Sequence, residues 1–356
     1  MVLCLALFLA RASTVLFALQ TTASAALMMT TTTTRLAEGQ HYNFLSEIDE
    51  TIQRVLATYD NDTLLSNVPE CERQDLVIAR ALRGRLQDME RKRHCPICWL
   101  QNNYCFCADC PPVVPEEEDP TANTLNRLFL VMHHGEIGMG VDTAKLILAS
   151  HPTKCRLVVA GIGSKYQKSM KELEDTIANS NRNCLVLFPD EASKPFHEIA
   201  KEEAAKTQYN EHFDDADDGN NRNNNNGWNI IVIDGTWQQA RRIKKRYFGG
   251  GEETFPSSSS SLRLPSIRTA RLSDKVLRTL EQELVDGEIN PGHQLRKHSS
   301  TSRKVGTFEA VRLFLGDLVE NNKVDNDDTT IPSWIQIEKY QQIANNALQA
   351  QNGFPC

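Results

Sequence analysis

Residues 230–246 read "IIVIDGTWQQARRIKKR", a segment in which the chemistry of the side chains changes abruptly. Its first four residues are β-branched and apolar, which is typical of a strand buried on both faces of a parallel sheet. An acid, a glycine, a hydroxyl and an indole follow at 234–237, and five cations lie between 241 and 246. The segment therefore predicts a buried strand that ends in polar side chains and continues into a basic helix.

Shorter apolar runs of the same kind occur upstream: "RLFLVMH" (127–133), "RLVVAG" (156–161) and "CLVLF" (184–188). Helical patterns lie between the strands, at 141–150, 168–179 and 195–206. Strands that alternate with helices in this way predict an α/β fold with a mainly parallel sheet and helices on both faces. Further helical patterns flank this region, at 44–57, 72–93, 273–286, 307–319 and 333–350.

The composition is that of a globular protein whose charge is unevenly placed. The chain has 356 residues, 40% hydrophobic and 24% charged, with a formal net charge of -7. This balance argues against a generally basic nucleic-acid coat. Much of the acid lies in "EEED" (116–119) and "DDADDGNNRNNNN" (214–226), so local basic patches are compatible with it. The Asn-rich run is low in complexity and predicts a disordered insertion over 207–227.

The first 37 residues contain no Asp or Glu. An apolar part ends in the A-x-A pattern of Ala23 to Ala25, and a Thr-rich, acid-poor part follows. Arg11 splits the apolar run, which disfavours a membrane anchor, and we expect no stable membrane association of the mature protein. We expect residues 1–37 to direct the chain to an organelle, plastid-like first and mitochondrial second, with plain secretion third. Cytoplasm or nucleus is expected if this segment is not a targeting signal.

Five of the ten cysteines lie in "CPICWLQNNYCFCADC", residues 95–110. A C-x2-C pair followed by C-x-C suits a tetrahedral Cys4 zinc site. The predicted ligands of this structural zinc are Cys95, Cys98, Cys105 and Cys107, with Cys110 as the spare thiol. The alternatives are a redox C-x-x-C motif, which normally opens a helix beside a βαβ unit, and ordinary buried cysteines. A zinc site would place the mature protein where thiols stay reduced, which argues against secretion.

Polar residues follow each predicted strand, where ligands of α/β sheets bind. The first strand continues into "HHGEIGMGVDTAK" (133–145), the second into Gly161 and Gly163, and the third into "LFPDEAS" (187–193). The fourth ends in "DGTW" (234–237), and "GTFEA" (306–310) opens a later helix.

The "DGTWQQARR" segment resembles the signature of the DTW-domain family, the tRNA-uridine aminocarboxypropyltransferases. Four features agree in order over about residues 91–319: the cysteine pattern, "HHGE…DTAK", "LFPDEA" and the final "TFEA". Gly135 stands where the family often has Pro, Gly306 stands where it often has Ser, and the insertion lengthens one connection. The resemblance implies a fold related to the knotted SPOUT methyltransferases, although threading leaves no local pattern in a sequence.

The resemblance also implies a reaction. The 3-amino-3-carboxypropyl group of S-adenosylmethionine would be transferred to N3 of a uridine in tRNA, with release of methylthioadenosine. Asp234 is the candidate catalytic carboxylate, because uridine N3 carries a proton that must leave. Its alternative role is to cap the following helix.

Six residues are candidates for contact with S-adenosylmethionine: Gly161, Pro189, Thr236, Trp237, Thr307 and Glu309. The alternative roles are structural: turns for glycine, helix caps for the hydroxyls and Glu309, and the core for Trp237. His134 and Glu136 line the same crevice or belong to a surface loop.

The cations predict contact with a phosphate backbone. Three of them fall at i, i+3 and i+4 on one helical face, at 242, 245 and 246. The alternative is a solvated charged face. The candidate RNA-binding residues are Arg241, Arg242, Lys245, Arg246 and Arg268.

Five regions follow: 1–37 (targeting), 38–90 (helical), 91–115 (Cys4 zinc-binding), 125–320 (DTW α/β catalytic domain) and 321–356 (helical tail). Two alternative functions stay open, a SPOUT-type RNA methyltransferase and a non-catalytic zinc-ribbon RNA-binding module. The sequence specifies neither the oligomeric state nor which uridine of which tRNA is modified.

Overall fold

The protein was analysed as a computed structural model that describes residues 44–59, 62–112, 124–180, 183–211, 227–249, 267–278, 306–320 and 337–353. The predicted targeting segment lies outside these residues, and so do most of the predicted insertion and the second half of the predicted 273–286 helix. The proposed division into five regions therefore stays a prediction.

The described strands form one parallel sheet in the order β2-β1-β5-β3-β6-β4. Their bounds are β1 Leu125–His133, β2 Cys155–Ala160, β3 Cys184–Leu187, β4 Lys194–Pro195, β5 Trp228–Asp234 and β6 Arg268–Arg271. The prediction of an α/β fold with a mainly parallel sheet is confirmed. The four predicted strands are β1, β2, β3 and β5, and β5 lies between β1 and β3.

Helices cover both faces of the sheet. Their bounds are α1 Phe44–Thr58, α2 Glu70–Arg91, α3 Lys145–Ser150, α4 Lys168–Ser180, α5 Phe196–Glu211, α6 Trp237–Phe248, α7 Thr307–Glu320 and α8 Glu338–Gln351. Residues 274–278 are also helical. Within the part of the chain that the structure describes, no helix is both long enough and apolar enough to cross a membrane.

The uniform β-branched run of β5 is explained by burial on two sides. Ile230 and Val232 pack into a larger core with residues of α1, α2, α7 and α8, whereas Ile231 and Ile233 pack with α4 and α6. Successive side chains of a strand point to opposite faces, so a strand between two helical layers needs apolar residues at every position.

The main differences from the sequence predictions concern β4, β6, the start of α3 and the end of α5. β4 has two residues and contains Pro195, and β6 reads Arg-Thr-Ala-Arg, so neither is an apolar run. α3 begins at Lys145 rather than 141, because the Asp142 carboxylate accepts the N–H of Ala144 at 3.0 Å and shapes a turn there. α5 continues to Glu211, so the first five residues of the predicted insertion are helical.

Candidate functional site

The cysteine segment folds so that four thiols converge. The Sγ atoms of Cys95, Cys98, Cys105 and Cys107 all lie within 4.8 Å of one another. Cys95 and Cys107 are 3.7 Å apart. A tetrahedral zinc with Zn–S bonds of about 2.3 Å has S–S edges of about 3.8 Å. The four thiols that the sequence predicted can therefore hold a zinc ion.

The fifth cysteine of the segment, Cys110, is not in that group among the described residues. Its side chain is buried, and burial raises the pKa of its thiol to about 12. A neutral thiol in an apolar setting behaves as a packing residue. This placement agrees with the prediction that Cys110 is the spare thiol.

Lys145 links the cysteine segment to the loop that follows β1 by contacts to both. The buried Lys145 amine lies 5.8 Å from the ring centroid of Trp99 and 6.0 Å from that of Phe106, two aromatic residues interleaved with the thiols. Its Nζ donates to the carbonyl of Gly140 at 2.6 Å. Burial lowers the pKa of Lys145, and the Asp142 carboxylate opposes that change.

Asp234 ends β5 at the carboxyl edge of the sheet and is 2% exposed. Its Oδ1 accepts the Thr307 hydroxyl at 2.6 Å. Thr307 begins α7, so this contact joins the middle of the sheet to a helix 73 residues away. The contact is short for an O–H···O hydrogen bond, and it holds the carboxyl group in one orientation.

The cap of α6 is Thr236 and not Asp234. Thr236 Oγ1 accepts the N–H of Gln239 at 3.4 Å, and its own N–H donates to Gln239 Oε1 at 2.7 Å. These two bonds form a capping box. Gly235 has φ +151°, and a Cβ there would lie 3.3 Å from His133 Cβ. Glycine thus lets the chain turn between the catalytic candidate and the helix.

Trp237 is at the surface, 38% exposed, rather than in the core. Its ring is parallel to that of Phe188, with centroids 5.2 Å apart and an interplanar angle of 8°. The Arg241 guanidinium lies 4.9 Å from the Trp237 centroid. Parallel rings with a nearby cation form a flat, partly exposed stack, a surface on which a planar base can be placed.

The loop after β3 is held in place by the contacts of the acidic residue Asp190. Asp190 is ion-paired with Lys244 of α6, and its Oδ1 also accepts the Thr269 hydroxyl at 3.3 Å and the N–H of Ala192 at 3.1 Å. Pro189 is exposed between Asp190 and the Phe188 ring. The candidate residue Pro189 thus directly follows Phe188, whose ring stacks on Trp237.

The loop after β1 brings two histidines to the same edge. The rings of His133 and His134 stack with centroids 4.3 Å apart, and His133 Nδ1 accepts the N–H of Gly135 at 3.0 Å. Burial lowers the pKa of both rings; the positive charges of Arg242 and Arg85 add to the shift at His133. Both imidazoles are therefore neutral near pH 7.

Asp142 is a site residue that the sequence reasoning missed. Its carboxyl is 1% exposed, and its pKa is raised well above the usual range by burial and by the negative charge of Asp234. Asp142 therefore lies close enough to Asp234 to feel its charge. The sequence signal that could have identified Asp142 is an acid in "VDTAK" (141–145), in the loop that follows a predicted strand.

The family comparison accounts for this combination of cysteines, sheet and motifs. The DTW domain, as its family model defines it, matches residues 92–345. The chain belongs to the DTW domain family. The match spans the cysteine segment, the described sheet and α7, and it is consistent with a tRNA-modifying function. Searches of curated proteins and of solved structures found no match.

Two more of the candidate cofactor residues, Glu309 and Gly161, have partners inside the protein, as Thr236 and Thr307 do. Glu309 is 7% exposed, and its two oxygens accept from Arg312 at 2.9 and 2.6 Å. The N–H of Gly161 donates to the Tyr247 hydroxyl at 2.8 Å. A Cβ at Gly161, where φ is +102°, would lie 2.3 Å from Ile78 Cδ1, so this glycine permits close packing against α2.

The cations of the DTW domain differ in exposure. Arg268 is half-buried and pairs with Glu203 at 2.6 Å. Arg246 is exposed, although it bonds to Gln74 and lies 5.4 Å from the Tyr247 centroid. Arg242 and Lys245 are exposed on α6, whose opposite face is buried. The exposed face of α6 therefore carries Trp237 in its first turn and positively charged side chains, Arg242 and Lys245, further along the helix.

Proposed function

We propose that this DTW-domain protein transfers the 3-amino-3-carboxypropyl group of S-adenosylmethionine to N3 of a uridine in tRNA, releasing methylthioadenosine. The observation that carries the proposal is the buried Asp234 at the end of β5, held by Thr307 and followed directly by the Trp237 stack. Membership of the DTW family supports a function in tRNA modification.

The reaction needs a proton acceptor. Uridine N3 carries a proton and is a weak nucleophile until that proton leaves. In the proposed step the Asp234 carboxylate takes the proton, and N3 bonds to the carbon of the aminocarboxypropyl group that is attached to sulfur. The bond from that carbon to sulfur breaks. The electron pair of the broken bond stays on sulfur, which becomes the neutral thioether of methylthioadenosine.

The site must also choose among three carbons on one sulfonium. Chemical reactivity does not favour the aminocarboxypropyl carbon over the methyl carbon, so the choice depends on which carbon lies in line with N3. In this proposal the Thr307–Asp234 bond fixes the base, and the Glu309–Arg312 pair orders the first turn of α7 that carries Thr307.

The tRNA contacts are proposed for the exposed stack and for α6. A uridine or a neighbouring base rests on the exposed Trp237 ring, which is supported by the buried Phe188 ring, and Arg242, Lys245 and Arg246 approach the phosphates that flank it. Stacking accepts any base, so these contacts set the position of the strand rather than the identity of the tRNA.

Zinc has a structural role in this proposal. Cys95, Cys98, Cys105 and Cys107 would hold it in a closed site, which supplies stability and no open position for chemistry. Lys145 connects that segment to the loop after β1.

The test is mass spectrometry of nucleosides from unmodified tRNA incubated with the protein and S-adenosylmethionine. A uridine with the aminocarboxypropyl mass, together with methylthioadenosine, supports the proposal. A methyl mass with S-adenosylhomocysteine would instead establish an RNA methyltransferase. Failure to bind S-adenosylmethionine, with tRNA binding intact, would favour the non-catalytic zinc-ribbon module.

The Asp234→Asn variant sharpens this test. It removes the charge but keeps an oxygen that can accept the Thr307 hydroxyl. We expect product formation to fall at least about 100-fold, the lower end of the range for general acid–base catalysis. tRNA affinity should stay within about twofold of wild type, because the phosphate contacts are on α6. An equal loss of binding and product would argue against a catalytic role for Asp234.

We further propose that residues 1–37 direct the chain to a plastid-like organelle. The absence of acid and the A-x-A pattern of Ala23 to Ala25 support the proposal. A fluorescent fusion of residues 1–40 that stays in the cytoplasm would refute it.

A further inference from the structure

The helix α2 lies outside the matched DTW domain, which begins at residue 92. It nevertheless reaches the loop between β1 and α3, residues 134–144, which we call the β1–α3 loop. Arg85 Nη1 donates to the carbonyls of Gly135 and Ile137, the latter at 2.8 Å, and lies 3.4 Å from that of His134. One guanidinium nitrogen therefore donates hydrogen bonds to neighbouring carbonyls of the loop that follows the two histidines.

The fit between α2 and this loop is close at a second point. Gly138 has φ +81°, and a Cβ there would lie 2.7 Å from the sulfur of Met89 and 3.2 Å from Arg85 Cδ. The loop therefore approaches α2 nearer than a side chain would allow. Carbonyls that are partly removed from water need donors, and here the donor comes from a helix about 50 residues earlier.

The same helix also contacts the loop after β2 and the basic helix. Asp75 Oδ1 accepts the N–H of Gly163 at 2.8 Å, and Gln74 bonds to Arg246 of α6. The side chains of Gln74 and Ile78 occupy the space in front of Gly161. α2 thus touches three elements at the carboxyl edge of the sheet, where Asp234 lies.

We propose that α2 is a wall of the reaction site and that Arg85 is a positioning residue for the β1–α3 loop. The inference rests on the proposed function, since it assigns Arg85 an effect on transfer by Asp234. Arg85 acts through His133, His134 and the turn they begin, not by contact with the substrate.

A helix that only filled the core would use its apolar face alone. The apolar face of α2 is present, with Leu76 and Leu82 buried. Arg85 is half-buried and donates to carbonyls of the β1–α3 loop. Replacing it with an apolar side chain of similar length keeps most of the packing and removes the donors.

The experiment compares Arg85→Met, Arg85→Lys and Arg91→Met in the full chain. Arg91 lies on the same helix, is exposed, and pairs with Asp88 one turn away, so it is the matched control. The readouts are kcat and KM for transfer to tRNA, and hydrogen exchange of a peptide covering 133–141.

We expect Arg85→Met to lower kcat about tenfold or more, the effect of losing a charged hydrogen-bond donor, with KM for tRNA within about twofold. Exchange in 133–141 should rise in this variant and not in Arg91→Met. Arg85→Lys should restore part of both, because an ammonium keeps three donors. Equal kcat and exchange in Arg85→Met and Arg91→Met would overturn the inference.

Failure of the proposed function has a different signature. If the wild-type chain transfers nothing, that function is refuted, and hydrogen exchange still decides whether Arg85 positions the loop. A global rise in exchange throughout Arg85→Met would mean that the arginine stabilises the fold as a whole, which would also overturn the positioning role.

Discussion

Replacing Thr307 with Val tests the contact on which the catalytic proposal depends. Val keeps the branched shape of the side chain and removes the hydroxyl that donates to Asp234 Oδ1 at 2.6 Å. A hydrogen bond to a charged group contributes about 1.5–3 kcal/mol to stability, against about 0.5–1.5 kcal/mol for a neutral pair. We expect Thr307→Val to lower the free energy of unfolding by about 1.5–3 kcal/mol.

A double-mutant cycle isolates that bond from the other effects of the substitution. In the Asp234→Asn background the acceptor is neutral, so Thr307→Val should cost about 1 kcal/mol less than in wild type. Unfolding in urea, followed by tryptophan fluorescence at constant zinc concentration, measures all four free energies. Thr307→Ser keeps the hydroxyl and is the control for loss of the methyl group.

The cycle has a clear refuting result. If Thr307→Val costs the same in both backgrounds, within about 0.3 kcal/mol, the hydroxyl does not bind a charged Asp234. The same variant should lower kcat about tenfold, because a carboxylate without its donor has more than one orientation. Unchanged kcat would mean that Thr307 orients nothing needed for transfer.

Three further predictions concern the zinc, the aromatic stack and the histidines. Cys98→Ser should lower the zinc content below one ion per chain by atomic absorption, and a chelator should then destabilise the variant less than wild type. Trp237→Ala should weaken tRNA binding by about 1–3 kcal/mol, roughly 5- to 150-fold in a filter assay, while Trp237→Phe keeps most of the affinity. The His133 ring has a lowered pKa, so below about pH 6.5 the unfolded chain takes up more protons and stability should fall as pH decreases. Removing one nearby cation with Arg242→Gln should raise the pKa of His133 in an NMR titration; an unchanged pKa would mean that the charge of Arg242 does not contribute to the lowered value.

The strands that sequence predicts are those with a continuous apolar run. The runs of β1, β2, β3 and β5 are buried because helices cover both faces of the sheet, although Arg127 and Arg156 near the starts of β1 and β2 are only half-buried. β6 was not predicted because it has no apolar run. Arg268 and Arg271 at its ends pair with acids, and only the two residues between them are buried. β4 is one of the two edge strands of the described sheet, where a proline is tolerated, and two residues are too short to show an alternating pattern.

The site was predictable where chemistry is local in the chain and not where it depends on distant pairing. Spacing alone selected the four thiols that converge. The Thr307–Asp234 bond joins positions 73 residues apart, and sequence periodicity has no information at that range. The Glu309–Arg312 pair is different, because an i, i+3 spacing on a predicted helix was visible and indicates an internal partner for the acid.

The boundary of the matched family and the boundary of the physical unit do not coincide. The match begins at residue 92, yet Leu76 and Leu82 of α2 are fully buried in the same core as the sheet. Burial of each contributes about 1.5–3 kcal/mol, and the Arg85 donors add to that. A chain cut at the family boundary would lose this stabilisation and leave the Gly135 and Ile137 carbonyls without these donors. The helix is thus joined to the DTW domain by the same contacts that hold the β1–α3 loop beside Asp234, so stability and arrangement of the site depend on one surface.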